Sequence, residues 1–125
     1  MEKISLICIA LCVAHLICFI VRLVIISKFY DRRGFPMYDN NVQEIVDISS
    51  TVLLILLSFG SWAIMLYYKS KGLDITPIKG MCIYMILPGV AMLIFNAVSE
   101  KVELVATLFL LLNTSVAVVM LAPAA

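Results

Sequence analysis

Cys8, Cys12 and His15 lie four and three residues apart, and Cys18 follows three further on. On an α-helix the first three share a face, so two thiols and an imidazole would be aligned as ligands for a soft metal ion. All four sit in an uncharged apolar run, and one helix supplies only part of a four-ligand set. Completion would need a cysteine such as Cys82 from elsewhere in the chain. Buried cysteine is otherwise a small apolar side chain. No metal site is therefore expected. Thiol redox chemistry lacks its C-x-x-C pair, and a lone histidine cannot hold a haem between two histidines. Neither a glycine-rich phosphate loop nor a nucleophile elbow occurs. With no catalytic set, the chain is expected not to be an enzyme and to need no cofactor.

The remaining chemistry is electrostatic. Arg22, Lys28, Arg32 and Arg33 close one apolar run, Gly34-Phe35-Pro36 makes a turn, and Glu44 and Asp47 open the next. Read as the polar tip of a transmembrane hairpin, this stretch brings Arg22 and Asp47 to similar depth, and the two are predicted to pair. A lone charge costs about 2.5 to 3.5 kcal/mol near the centre of a bilayer on insertion scales, and less at its edge. Glu44, Asp47 and Thr51 are spaced to share one helical face, and acids also suit a helix N-terminus. Arg32, Arg33 and Tyr38 are the candidate loop contacts for a soluble partner.

The elements that position these groups follow from composition. The chain has 125 residues, 64% of them hydrophobic and 14% charged, against about half apolar in soluble domains. So small a domain cannot hide that much apolar surface in its own interior. Lipid must be its solvent. Nine basic residues against eight acidic ones remove the case for a basic nucleic-acid-binding face.

A bilayer core needs about 20 apolar residues in a helix. Ile4 to Val21, Ile48 to Tyr68, Gly80 to Ser99 and Leu104 to Ala125 are uncharged runs that meet this test, joined by short polar pieces. A membrane barrel would show alternating segments of roughly ten residues instead. The expected fold is all-α, a four-transmembrane-helix bundle of two hairpins in a single domain, with helices at about 4–30, 44–68, 77–99 and 103–122. The first segment has no A-x-A cleavage site and is expected to remain a permanent helix.

Faces can be assigned by spacing. Ala10, Ala14, Cys18 and Arg22 recur every four residues, a small-residue row that allows close helix approach. Ala106, Leu110, Asn113 and Ala117, with Glu103 before them, form the clearest face of the fourth helix, leaving Leu108, Leu111, Leu112 and Val119 toward lipid. Asn113 in mid-membrane needs a hydrogen-bonding partner. Pro88-Gly89 near the centre of the third helix predicts a kink. With Asn96, Asn113, Ser58 and Ser61, these two residues are the candidate lining of a pore or solute path. Trp62, Tyr67 and Tyr68 read as an interfacial aromatic belt.

Four helices put both ends on one side, with Lys3, Lys69, Lys71 and Lys79; Arg22, Lys28, Arg32, Arg33 and Lys101 fall on the other. That balance gives no orientation under the positive-inside rule. The functional expectation is a small integral membrane component of a plasma or inner membrane. It would act as a homo-oligomer (a pore, or a sensor recruiting a soluble protein) or as a subunit of a larger membrane complex. A solute or ion transporter using the third helix is the alternative, and a membrane-embedded enzyme ranks below both.

Overall fold

The computed structural model describes residues 3–122; the last residues of the fourth apolar run, through Ala125, lie outside the described residues. Four α-helices follow in order: α1 (Lys3–Phe29), α2 (Asn41–Lys71), α3 (Lys79–Ser99) and α4 (Leu104–Leu121). A 3-10 turn at Thr76–Ile78 runs directly into α3. All four are long and apolar enough to cross a membrane, which makes the chain an integral multi-pass membrane protein. α1 packs on α2 and α3, and α4 packs on α3 and α2, so the bundle closes in the order α1, α2, α4, α3.

Local chemistry sets the helix ends. α2 starts three residues before the expected Glu44, because the Asn40 side chain accepts a hydrogen bond from the Gln43 amide at 3.0 Å and Gln43 Oε1 accepts one from the Asp39 amide at 2.6 Å. These exchanged bonds satisfy amide donors that a helix start leaves open. At its other end α2 passes the expected Tyr68 and reaches Lys71. Gly72 then turns left-handed at φ 64°, and the Leu73 amide donates to Tyr68 O at 3.0 Å. Glu103 stands just outside α4 as its cap, its carboxylate accepting from the Val105 amide at 3.0 Å and the Ala106 amide at 2.7 Å.

The inward stripe of α1 is Cys8, His15, Cys18, Phe19, Arg22, Ile25 and Ile26. Within the protomer the small-residue row falls only partly on this stripe. Ala10 is exposed and Ala14 half-buried, while Cys18 and Arg22 are buried. Seven-residue spacing keeps one seam against a neighbouring helix, whereas a strict four-residue row rotates away from it. On α4 the expected face does turn inward: Ala106, Leu110, Asn113 and Ala117 are all buried. Leu108, Leu112 and Val119 are exposed, with Leu111 half-buried.

The apolar interior has two parts. Met65, Ile78, Met81, Cys82, Met85, Ala117 and Met120 pack with Cys8 near the α2–α3 turn. Phe19, Ile26, Leu54, Met92, Ala106 and Leu110 pack near the other end. Polar groups are interleaved between and beyond them.

Candidate functional site

The α1–α2 turn folds back on itself before it reaches α2. Tyr30 bridges to Pro36, and the Met37 amide donates to Phe29 O at 2.6 Å. Asp31 Oδ1 accepts from the amides of Arg33 at 2.9 Å and Phe35 at 3.0 Å. Gly34 is left-handed at φ 84°, and the Val102 carbonyl occupies the place where a Cβ would stand, so only glycine fits there. This fold carries Tyr38 back to the bundle, over the first turns of α2.

There the structure brings together six side chains, from α1, α2, the α1–α2 turn and the cap of α4. Arg22 Nη1 donates to Asp47 Oδ1, to the Asp47 carbonyl at 3.1 Å and to Ser50 Oγ at 3.3 Å. Arg22 Nη2 lies 3.2 Å from Glu103 Oε2, an ion-pair distance without the alignment of a hydrogen bond. The hydroxyls of Tyr30, at 2.8 Å, and Tyr38 both donate to Asp47 Oδ2. The Tyr30 ring lies under the guanidinium, its centroid 5.9 Å from Arg22 Cζ. Arg22 has no exposure, Asp47 2% and Glu103 8%.

The charges balance locally. Glu103 faces the N-terminus of α4, where exposed amides carry about half a positive charge. One guanidinium, that helix end and two phenols therefore face two carboxylates. Tyr38, in the loop, has its hydroxyl pushed above the ordinary tyrosine range, first by burial and then by its bond to Asp47. Glu44 takes no part. It is exposed, one turn earlier on α2, and Glu103 supplies the second acid near Arg22.

The loop set divides in the same way. Arg32 and Arg33 are exposed, with Arg32 3.3 Å from Glu100 across the two turns. Tyr38 points inward to Asp47 and is not part of an outward partner-binding face.

A second polar group lies mid-bundle. Asn113 Nδ2 donates to Ser58 Oγ at 3.0 Å and contacts His15 Nε2 at 3.2 Å. His15 Nδ1 is 3.1 Å from the Tyr84 hydroxyl. Ser58 in turn donates to Leu54 O at 2.8 Å, and Ser61 to Leu57 O at 2.9 Å. Asn96 stands apart, donating to Thr107 Oγ1 at 3.1 Å. Pro88 and Gly89 are buried against α4, with the Thr114 hydroxyl where a Gly89 Cβ would be and Leu110 O at 2.9 Å from that point. The place expected to border a cavity is thus filled by α4. Thr114 Oγ1 also lies 3.2 Å from the carbonyls of Met85 and Ile86, beside the turn that Pro88 disrupts. α3 continues through this point as one helix. Trp62, expected in an aromatic belt, stacks on Phe109 of α4 with centroids 5.7 Å apart.

Both nitrogens of His15 are engaged by protein groups, and among the described residues no three His, Cys, Asp or Glu side chains converge as metal ligands. No family model, curated protein or solved structure matches this chain. Its reading rests on its own geometry. Glu103, Tyr30 and Tyr84 are the members the sequence did not single out for these roles. The signal for Glu103 was present, since in a four-helix chain the first and third turns lie at the same bilayer face.

Proposed function

We propose that this protein is a non-catalytic membrane component that works by lateral association, with copies of itself or with other membrane subunits. The observation that supports this reading is the pairing of Arg22, Asp47 and Glu103, the three buried charged side chains among the described residues, with one another inside a single protomer. Ser58 and His15 likewise each bond to Asn113. These groups are directed at one another inside the bundle rather than outward. A polar pore between copies would require such groups on the outer surface. The outer surface instead presents Ile17, Leu56, Leu87 and Ile94, each about half exposed or more.

An apolar groove of about 310 Å³ between α1 and α2, lined by Ile20, Val24, Phe29 and Val46 among others, is the recess on that surface where a neighbouring helix would seat. Small and branched side chains suit van der Waals packing of helices in lipid, where no hydrophobic force draws them together. The test is the mass of the protein in mild detergent, with Val24→Trp filling the groove, and ion leakage of liposomes holding the wild type. A defined oligomer or a copurifying membrane subunit, lost in V24W, with tight liposomes, is the expected result. A monodisperse monomer that associates with nothing, or a saturable solute flux, would overturn the reading in favour of a carrier.

A further inference from the structure

A cavity of about 460 Å³ opens between α1 and α3 and the 3-10 turn, lined by Cys8, Cys12, Val13, Pro77, Met81 and Tyr84 among others. That volume is within the range of small-molecule sites, roughly 300 to 1,000 Å³. Its wall is apolar apart from a few groups, and the hydrogen-bond chain behind it determines which of them is free to act.

The amide nitrogen of Asn113 can only donate, so at 3.2 Å His15 Nε2 is the acceptor. A ring with one accepting nitrogen is neutral and carries its proton on the other, so His15 Nδ1–H donates to the Tyr84 oxygen at 3.1 Å. Ser58 accepts the second Asn113 hydrogen and passes its own to Leu54 O. The chain therefore runs in one direction, from Asn113 through His15 to Tyr84. Tyr84 already receives a hydrogen bond, and its own hydroxyl hydrogen has no acceptor among the described residues. The other hydroxyl on the cavity wall, Ser5, is taken up by Pro77 O at 3.3 Å.

We infer that this cavity binds a membrane-soluble molecule with an apolar body and a carbonyl oxygen that accepts from Tyr84. Two sources share that chemistry, a quinone and the ester carbonyl of a bilayer lipid. The site is separate from the α1–α2 groove and does not depend on the association reading.

The test uses the full chain in bilayers of ether-linked lipid, which lacks ester carbonyls. The rate of Cys12 alkylation by a membrane-permeant maleimide is followed by peptide mass spectrometry. A fully ring-substituted benzoquinone with a decyl tail should slow that rate saturably, and decylbenzene should do so far less. Tyr84→Phe should raise the half-saturating quinone concentration about fivefold to tenfold, the worth of one hydrogen bond. Gly80→Leu leaves the hydrogen-bond chain intact and has open space at its Cβ; it should fill the cavity and remove protection outright. Slower alkylation in ester-linked than in ether-linked lipid, seen in wild type and lost in Y84F, would name the lipid as the source. Equal protection by quinone and decylbenzene with no difference between the two lipids, or protection unchanged in both variants, overturns the inference.

Discussion

Replacing Asp47 by asparagine removes the charge that Arg22 faces most closely while leaving every atom position filled. With the asparagine oxygen kept on the two tyrosine hydroxyls, its NH2 donor faces the Arg22 Nη1 donor, and Arg22 retains only the residue 47 carbonyl at 3.1 Å and Ser50 Oγ at 3.3 Å as hydrogen-bond acceptors. The loss is electrostatic, a guanidinium with no exposure left to Glu103 alone. Breaking one side of a buried pair costs about 3 to 5 kcal/mol. About 3 kcal/mol is roughly a hundredfold in the ratio of folded to unfolded protein, a large share of a total of about 5 to 15 kcal/mol. Arg22→Gln alone should cost a similar amount, because it strands Asp47 beside Glu103. The double variant removes both charges and leaves Glu103 on the α4 N-terminus, so most of the stability should return. The assay is an SDS titration in mixed micelles, read by the fluorescence of Trp62, the one tryptophan. A double variant that loses as much stability as the two single variants added together would show that the two groups do not interact, and would sink the account of the cluster.

Other expectations follow from single contacts. Asn113→Leu strands Ser58 and His15 in the interior and should cost about 1 to 3 kcal/mol in the same titration; an unshifted midpoint would remove Asn113 from the polar chain. Gly89→Ala drives a methyl into Thr114 and should cost about 1 to 3 kcal/mol. Thr114→Ala should relieve that only in part, because Leu110 O remains 2.9 Å from the new atom, which a thermal midpoint for each variant will show. Tyr38 holds its proton above the ordinary range, so its contribution is complete below the unfolded tyrosine pKa of about 10 and falls away as pH rises through the folded value. Alkaline titration should loosen the α1–α2 turn in wild type, measured as faster proteolysis there, and Tyr38→Phe should abolish that step.

The four crossings could be read from the sequence because uncharged runs of this length have no other solvent than lipid. The contact between Arg22 and Asp47 was also legible, since a short hairpin fixes both at one depth. The rest depended on rotation. Four-residue spacing made Ala10 and Ala14 look like a packing row, yet the seam is set by what must be hidden, and His15 and Arg22, seven residues apart, outweigh two alanines. Glu103 approaches Arg22 only after α4 has settled beside α2, a contact spanning most of the chain. Tyr84 meets His15 through the phase of α3, which the apolar sequence around Pro88 leaves undetermined. The start of α2 departs from the expected Glu44 for a smaller reason: the side chains of Asn40 and Gln43 cap the helix three residues earlier.

The two turns at the Arg22 end are fastened across one another. Arg32 reaches Glu100, Lys101 Nζ donates to Ser27 O at 2.5 Å, and Gly34 lies against the Val102 carbonyl. At the far end the spanning contact is lighter, with Ser5 on Pro77 O and methionine side chains in between. If the two hairpins part, the end cushioned by pliable thioethers is where separation is expected to begin, in the leaflet that holds Lys3 and Lys79.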